Sequence, residues 1–212
     1  MIGLGKDRTR QGWVQMSFLS SEIDVFRACF RWMARRPIDP PAPNAFTCMN
    51  TSQYSFLLAG LVLATFFELP IVHILIAHYM NPAYAETAHV AVFLLNGYGL
   101  LWFLGDYRLL RESAHVLGDE GLLISLGLRY KGLVPLNCIS GLAERNGTET
   151  QRPGVALAKV TPYDDANMAI FLDREVTLTA LFGRTKSCRQ IDLYVDEPQK
   201  LLSALRARLP AA

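Results

Sequence analysis

Of all the ionisable groups in this chain, Glu68 has the most costly surroundings. It lies almost at the midpoint of an apolar run, Ser55 to Ala77, which contains no other Asp, Glu, Lys or Arg. An ionised carboxylate at the centre of a bilayer costs roughly 2.5–3.5 kcal/mol on insertion scales. Such a group must be protonated, paired or turned toward a polar cavity. The chemistry open to it is hydrogen bonding between helices, or carriage of a proton or cation. A second apolar run, Ala88 to Gly105, carries no formal charge. If the two runs form antiparallel helices, Tyr98 comes to about the depth of Glu68 and Asn96 lies a turn further out. Gly97 and Gly99 beside them would let the helices approach closely. The expectation is therefore a hydrogen bond to Glu68 from Tyr98 or Asn96. His73 is five residues further along the first run, roughly 140° around a helix from Glu68, so the two do not share a face. His73, His78 and His89 fall toward one end of the pair. Without a matching carboxylate or cysteine cluster they define no metal site, and no cofactor is assigned. Asp106 closes the second run beside Arg108 and Arg111, where a local ion pair with snorkelling side chains accounts for it.

The elements that must position these residues follow from the two runs. About 20 helical residues cross a hydrocarbon core of roughly 30 Å. Spans are expected at residues 54–79 and 88–112, joined by a connector at 80–87. Tyr54 and Tyr79 suit the interfacial belt. Pro70 removes the donor for the Phe66 carbonyl and predicts a local kink. The connector holds no Lys or Arg, whereas basic residues flank the pair on both sides. The positive-inside rule then places both termini in the cytoplasm and the connector outside. Residues 1–20 lack the continuous apolar stretch of a signal peptide, so the first run is expected to serve as its own, uncleaved insertion signal.

Residues 1–18 have no period and are expected to be loose. Over 19–36, Leu19, Ile23, Phe26, Phe30 and Met33 recur at helical spacing, opposite Arg27, Arg31, Arg35 and Arg36. That pattern predicts an amphipathic helix lying on an anionic leaflet; packing on the soluble domain or on a partner subunit is the alternative. Residues 37–53 read as a Pro-rich linker.

Beyond the spans the period shortens to two. Strand-like stretches occur at 122–128, 133–139, 155–160, 168–172, 176–182 and 187–195, with a hairpin tip at Arg129-Tyr130-Lys131-Gly132 and a polar loop over 144–154. Arg129 and Lys131 read as a solvated turn. Asn146-Gly-Thr has the form of a glycosylation acceptor, but on the cytoplasmic side it would not be modified. Leu201, Leu202, Leu205 and Leu209 give a closing helix one apolar face, with Asp196 or Glu197 before it and Pro198 in its first turn. About seven short strands and one helix predict a small barrel or bent sheet covered by that helix.

The net charge of +2 hides an asymmetry. Residues 1–53 hold seven Lys/Arg against four Asp/Glu, while 113–212 hold twelve against eleven, so no face is basic enough to suggest nucleic-acid binding. The four cysteines form no C-x-x-C pair and read as free thiols. No Ser-His-Asp set, P-loop, dinucleotide fingerprint or catalytic carboxylate pair is present, and the chain reads as non-enzymatic.

Two spans followed by Leu117-Gly-Asp-Glu-Gly-Leu-Leu-Ile-Ser-Leu-Gly-Leu, a Val134-Pro-Leu strand and the closing Val195-Asp-Glu-Pro-Gln-Lys-Leu-Leu-Ser-Ala-Leu-Arg resemble the membrane-attached bacterial pleckstrin-homology-like proteins over about residues 90–210. The resemblance implies a pleckstrin-homology-like domain on the inner membrane, with no ligand residues to carry over. The leading expectation is an anchored scaffold at 113–212 that binds a protein partner or a second copy of itself. The rival is a small oligomeric transporter or channel subunit in which Glu68 carries protons or cations.

Overall fold

The computed structural model describes residues 18–145 and 152–209. Most of the polar loop, including the Asn146 acceptor motif, and the expectation for residues 1–17 lie outside the described residues.

Three helices form one half of the molecule: α1 (Phe18–Met33), α2 (Tyr54–Tyr79) and α3 (Pro82–Glu112). Both α2 and α3 are long and apolar enough to cross a membrane. The connector between them is much shorter than expected. Asn81 and Pro82 read as a turn, yet Asn81 caps α3, its Oδ1 accepting from the Ala83 N–H at 2.9 Å, and Pro82 occupies the first turn. Proline loses nothing there, because that N–H has no helical acceptor in any case. Only Met80 and Asn81 separate the helices. α2 stays helical through Pro70.

α1 ends three residues before its expected limit. Arg35 adopts a left-handed conformation (φ 51°) that turns the chain back, and the Arg36 N–H bonds to the Arg31 carbonyl at 3.1 Å. α1 packs within the chain against α3, an arrangement that neither expectation named. Ser21, Val25, Ala28 and Cys29 are its buried face. Gly105 makes the contact possible, since a Cβ there would collide with the Val25 carbonyl oxygen. Most of the stripe read from the sequence faces outward: Leu19, Ile23, Phe30 and Met33 are exposed, while Phe26 is half-buried against Tyr98.

The other half is an open mixed sheet of eight strands, one more than expected: β1 (Ala45–Thr47), β2 (Ala114–Leu117), β3 (Gly121–Leu126), β4 (Tyr130–Pro135), β5 (Ile139–Glu144), β6 (Val155–Ala158), β7 (Met168–Ala180) and β8 (Thr185–Leu193). The order is β1-β2-β3-β4-β7-β8-β6, with β5 also on β7. All pairs are antiparallel except β6 with β8. The residues read as two strands, 168–172 and 176–182, form one strand, β7. Its register shifts between Phe171 and Val176, so its first half pairs with β5 and its second with β4. A shift of this kind bends a strand and lets one strand serve two neighbours. The β3–β4 turn is Gly127–Arg129, so Tyr130, Lys131 and Gly132 belong to β4 instead of a hairpin tip. The supposed linker supplies β1, which pairs with β2 directly after α3.

The core lies between the sheet and α4 (Pro198–Arg206). Leu122, Ile124 and Leu126 of β3, Leu178 of β7 and Ile191 of β8 meet Leu201, Leu202 and Leu205 of α4, all fully buried. Each buried leucine contributes about 1.5–3 kcal/mol by removal from water, enough to hold a nine-residue helix that would not form alone.

Candidate functional site

The strongest polar constellation lies where the long helices meet the sheet. Tyr54 begins α2, Asp106 lies near the end of α3, and Arg129 lies in the β3–β4 turn. The Tyr54 hydroxyl donates to Asp106 Oδ2 at 2.6 Å. The Arg129 guanidinium donates to both carboxylate oxygens, at 3.1 Å and 3.0 Å. Asp106 is 1% exposed, and Arg129 also lies over the Tyr54 ring at 5.3 Å. Tyr107 stacks on Tyr54 with ring centroids 6.1 Å apart. A buried carboxylate with a bidentate guanidinium and a phenol has its lone pairs satisfied, as its loss of water requires.

This corrects two expectations. Asp106 pairs with Arg129 and not with Arg108 or Arg111, and Arg129 is no solvated turn residue. Arg108 instead bonds Glu112 at 2.6 Å and donates to the carbonyls of Arg36 and Pro37. Glu112 also binds Arg31 at 2.6 Å, tying α1 to the end of α3. No local spacing could reveal the Asp106–Arg129 pair, whose members lie 23 residues apart on different kinds of element.

Two further carboxylates fasten the chain between β1 and α2. Asp196, after β8, accepts from the Thr47 and Thr51 hydroxyls and from the backbone N–H groups of Asn50 and Thr51. Burial works against its charge, but these hydrogen bonds prevail and hold it below the ordinary carboxylate range. Asp164, in the β6–β7 loop, accepts from Ser52 Oγ at 2.9 Å and from the Gln53 N–H at 3.0 Å, at the start of α2. A carboxylate is well placed at a helix N-terminus, where backbone donors lack partners. Cys48 is enclosed by this belt, and burial together with nearby Asp196 pushes its thiol up to about 12.

Glu68 is not where the depth argument put its partners. Tyr98 Oη donates at 2.8 Å to Glu22 of α1, which also accepts from Trp102 Nε1 at 3.2 Å. Asn96 Nδ2 turns back to the Val92 carbonyl of its own helix. Glu68 is exposed on α2, with no hydrogen-bond or ion-pair partner among the described residues. The depth match considered only two helices; α1, packed along α3, supplies the carboxylate that Tyr98 uses. His73 does find a partner in the neighbouring helix: its Nδ1 is 2.5 Å from Nδ1 of His89. That contact needs one ring nitrogen protonated and the other bare. His78 packs edge-on against Tyr79. Among the described residues no group of three or more His, Cys, Asp or Glu could hold a metal.

The basic residues of α1 divide by their partners. Arg31 is paired, as above. Arg27, Arg35 and Arg36 are exposed. Arg27, Phe30, Arg31, Ala34 and Arg36 line a cavity of about 420 Å³, and Arg31 and Arg36 also border a neighbouring one of about 460 Å³ with Asp39, Arg108 and Glu112.

No protein-family model, no curated protein and no solved structure matches this chain.

Proposed function

We propose that the protein is a membrane-anchored, non-enzymatic scaffold. In this reading α2 and α3 cross a bacterial inner membrane, both termini lie in the cytoplasm, and the sheet is a pleckstrin-homology-like interaction domain for a protein partner or a second copy. The observation that carries the proposal is the junction of Tyr54, Asp106 and Arg129. It fastens the sheet to the base of the helix pair, so whatever the sheet binds is held at a fixed height above the leaflet. The placement of charge supports the orientation, since the Met80-Asn81 end has no Lys or Arg nearby and the opposite end gathers Arg108, Arg111 and the arginines of α1.

A second reading, an oligomeric proton or cation pathway, is favoured by one observation: Glu68 is exposed in mid-helix without a partner among the described residues. Two helices cannot enclose a pathway, so this reading requires several copies. Glu68→Gln separates the two. The scaffold predicts no proteoliposome flux from wild type or variant. A wild-type flux lost in a normally assembled Glu68→Gln protein would overturn it in favour of the pathway. Fusion of a periplasm-specific reporter after Ala212 tests the orientation. The reporter should stay silent, and activity there would reverse the topology.

A further inference from the structure

We propose that the cavity lined by Arg27, Phe30, Arg31, Ala34 and Arg36 binds the headgroup of an anionic phospholipid. This rests on the membrane reading above and adds a ligand class to it.

α1 runs alongside α3 in the same direction: Glu22 meets Tyr98 and Trp102, Val25 meets Gly105, and Arg31 meets Glu112. Arg27 and Arg31 therefore stand level with the last two turns of α3, the stretch where Asp106 meets Tyr54 at the start of α2. That is the level at which an apolar helix pair passes into headgroups. The N-terminal half of α1, level with Tyr98, reaches about 10 Å deeper at 1.5 Å per residue.

The shape of the site comes from the end of α1. Arg27, Phe30, Arg31 and Ala34 recur at helical spacing on one face. The left-handed turn at Arg35 then brings Arg36 back beside Arg31. Three arginines thus line one cavity of about 420 Å³ whose lining includes no acidic residue. Glu112 occupies Nε and Nη2 of Arg31, while Arg27 and Arg36 have no carboxylate partner among the described residues. Planar guanidinium forks match phosphate oxygens. Phe30, 64% exposed, and Ala34 give the same cavity an apolar wall, and Leu19, Ile23 and Met33 extend an exposed apolar surface along α1. A phosphate beside an apolar wall at this height is the chemistry of a phospholipid and not of a free anion.

Native mass spectrometry of the full chain in mild detergent, titrated with phosphatidylglycerol or phosphatidylcholine, tests this. Arg27→Gln/Arg36→Gln is the informative variant, because neither side chain supports the fold through an ion pair. Arg189→Gln/Arg206→Gln, on the sheet and on α4, is the charge-matched control. The expected result is preferential retention of phosphatidylglycerol by wild type, reduced roughly 10- to 30-fold in the double variant and unchanged in the control. Equal retention of the two lipids, or an unaffected double variant, overturns the site. Displacement of the lipid by millimolar inorganic phosphate would overturn the lipid assignment in favour of a soluble anion. Alkaline extraction of native membranes keeps the two levels of the claim apart. Release of wild type into the soluble fraction would remove the membrane reading itself, whereas retention with no lipid preference removes only the site.

Discussion

Replacing Asp106 by Asn disturbs the junction with the least change in shape. The wild-type carboxylate is 1% exposed and accepts three hydrogen bonds, at 2.6, 3.0 and 3.1 Å. An amide keeps the volume, loses the charge and turns an N–H₂ toward either the Tyr54 hydroxyl or the Arg129 fork. Removing one partner of a buried ion pair costs about 3–5 kcal/mol, because the other charge stays desolvated. The Arg129 side chain retains 25% exposure, so water compensates in part and the lower end, ~3 kcal/mol, is expected. That corresponds to a roughly 150-fold larger open population. Cys48 reports it, being fully buried in the belt that holds the start of α2 and chemically quiet while its thiol stays protonated. Peptide-resolved thiol labelling in detergent should show Cys48 reacting on the order of 100-fold faster in Asp106→Asn. Removing all three polar groups together, in Tyr54→Phe/Asp106→Leu/Arg129→Met, leaves no charge or hydroxyl unpaired and should return the rate most of the way to wild type. Labelling of Asp106→Asn within threefold of wild type, or a triple variant as open as the single one, would refute this reasoning.

Other outcomes follow from the same structure. His115 is fully buried in β2, and desolvation depresses its imidazole from 6.5 to about 4. The unfolded chain takes up a proton at higher pH than the folded one, so stability present above pH 6.5 is lost as pH falls toward 4, by ~3 kcal/mol in all. Denaturant midpoints measured across that window should show the slope, and a His115→Leu protein should flatten it whatever its absolute stability. Gly105→Ala places a methyl group against the Val25 carbonyl, so α1 must shift from α3; faster labelling of Cys29, with Cys188 unchanged, is the expected reading. Asn81→Ala removes the cap of α3 and should cost about 1 kcal/mol, seen as a lower melting temperature.

The parts of this protein legible in its sequence are those governed by short-range periodicity. The bounds of α2, the apolar face of α4 and most of the strands follow from spacings of three to four or of two. What escaped depends on contacts between distant residues or on one residue serving two grammars. Asn81-Pro82 spells both a turn and a helix start, and only the cap decides. The β1 strand hides in a Pro-rich segment of three paired residues whose partner lies some 70 positions away. Asp173 and Arg174 mark a bend in β7 as readily as a break between two strands. The Glu68 expectation failed for a related reason. Depth matching assigned Tyr98 to the nearest carboxylate of a two-helix pair, but α1 brings Glu22 to it, through the small residues Gly105, Ala28 and Ser21 that let the helices close. Arg129 lay in view all along, but local sequence does not distinguish a turn arginine facing water from one reaching a buried aspartate.

The most direct test of the central claim, that the sheet is held rigidly on the helix pair, is a single distance distribution. Spin labels at Tyr84→Cys, on the exposed first turn of α3, and at Lys200→Cys, on α4, report the span from helix pair to sheet, with the four native buried cysteines replaced by alanine so that only these two sites carry a label. Electron–electron dipolar spectroscopy on the chain in lipid nanodiscs should give one narrow peak that broadens when Asp106 is replaced by Asn. A broad or multi-peaked distribution in wild type would mean that the sheet swings freely from its anchor, and would contradict the account.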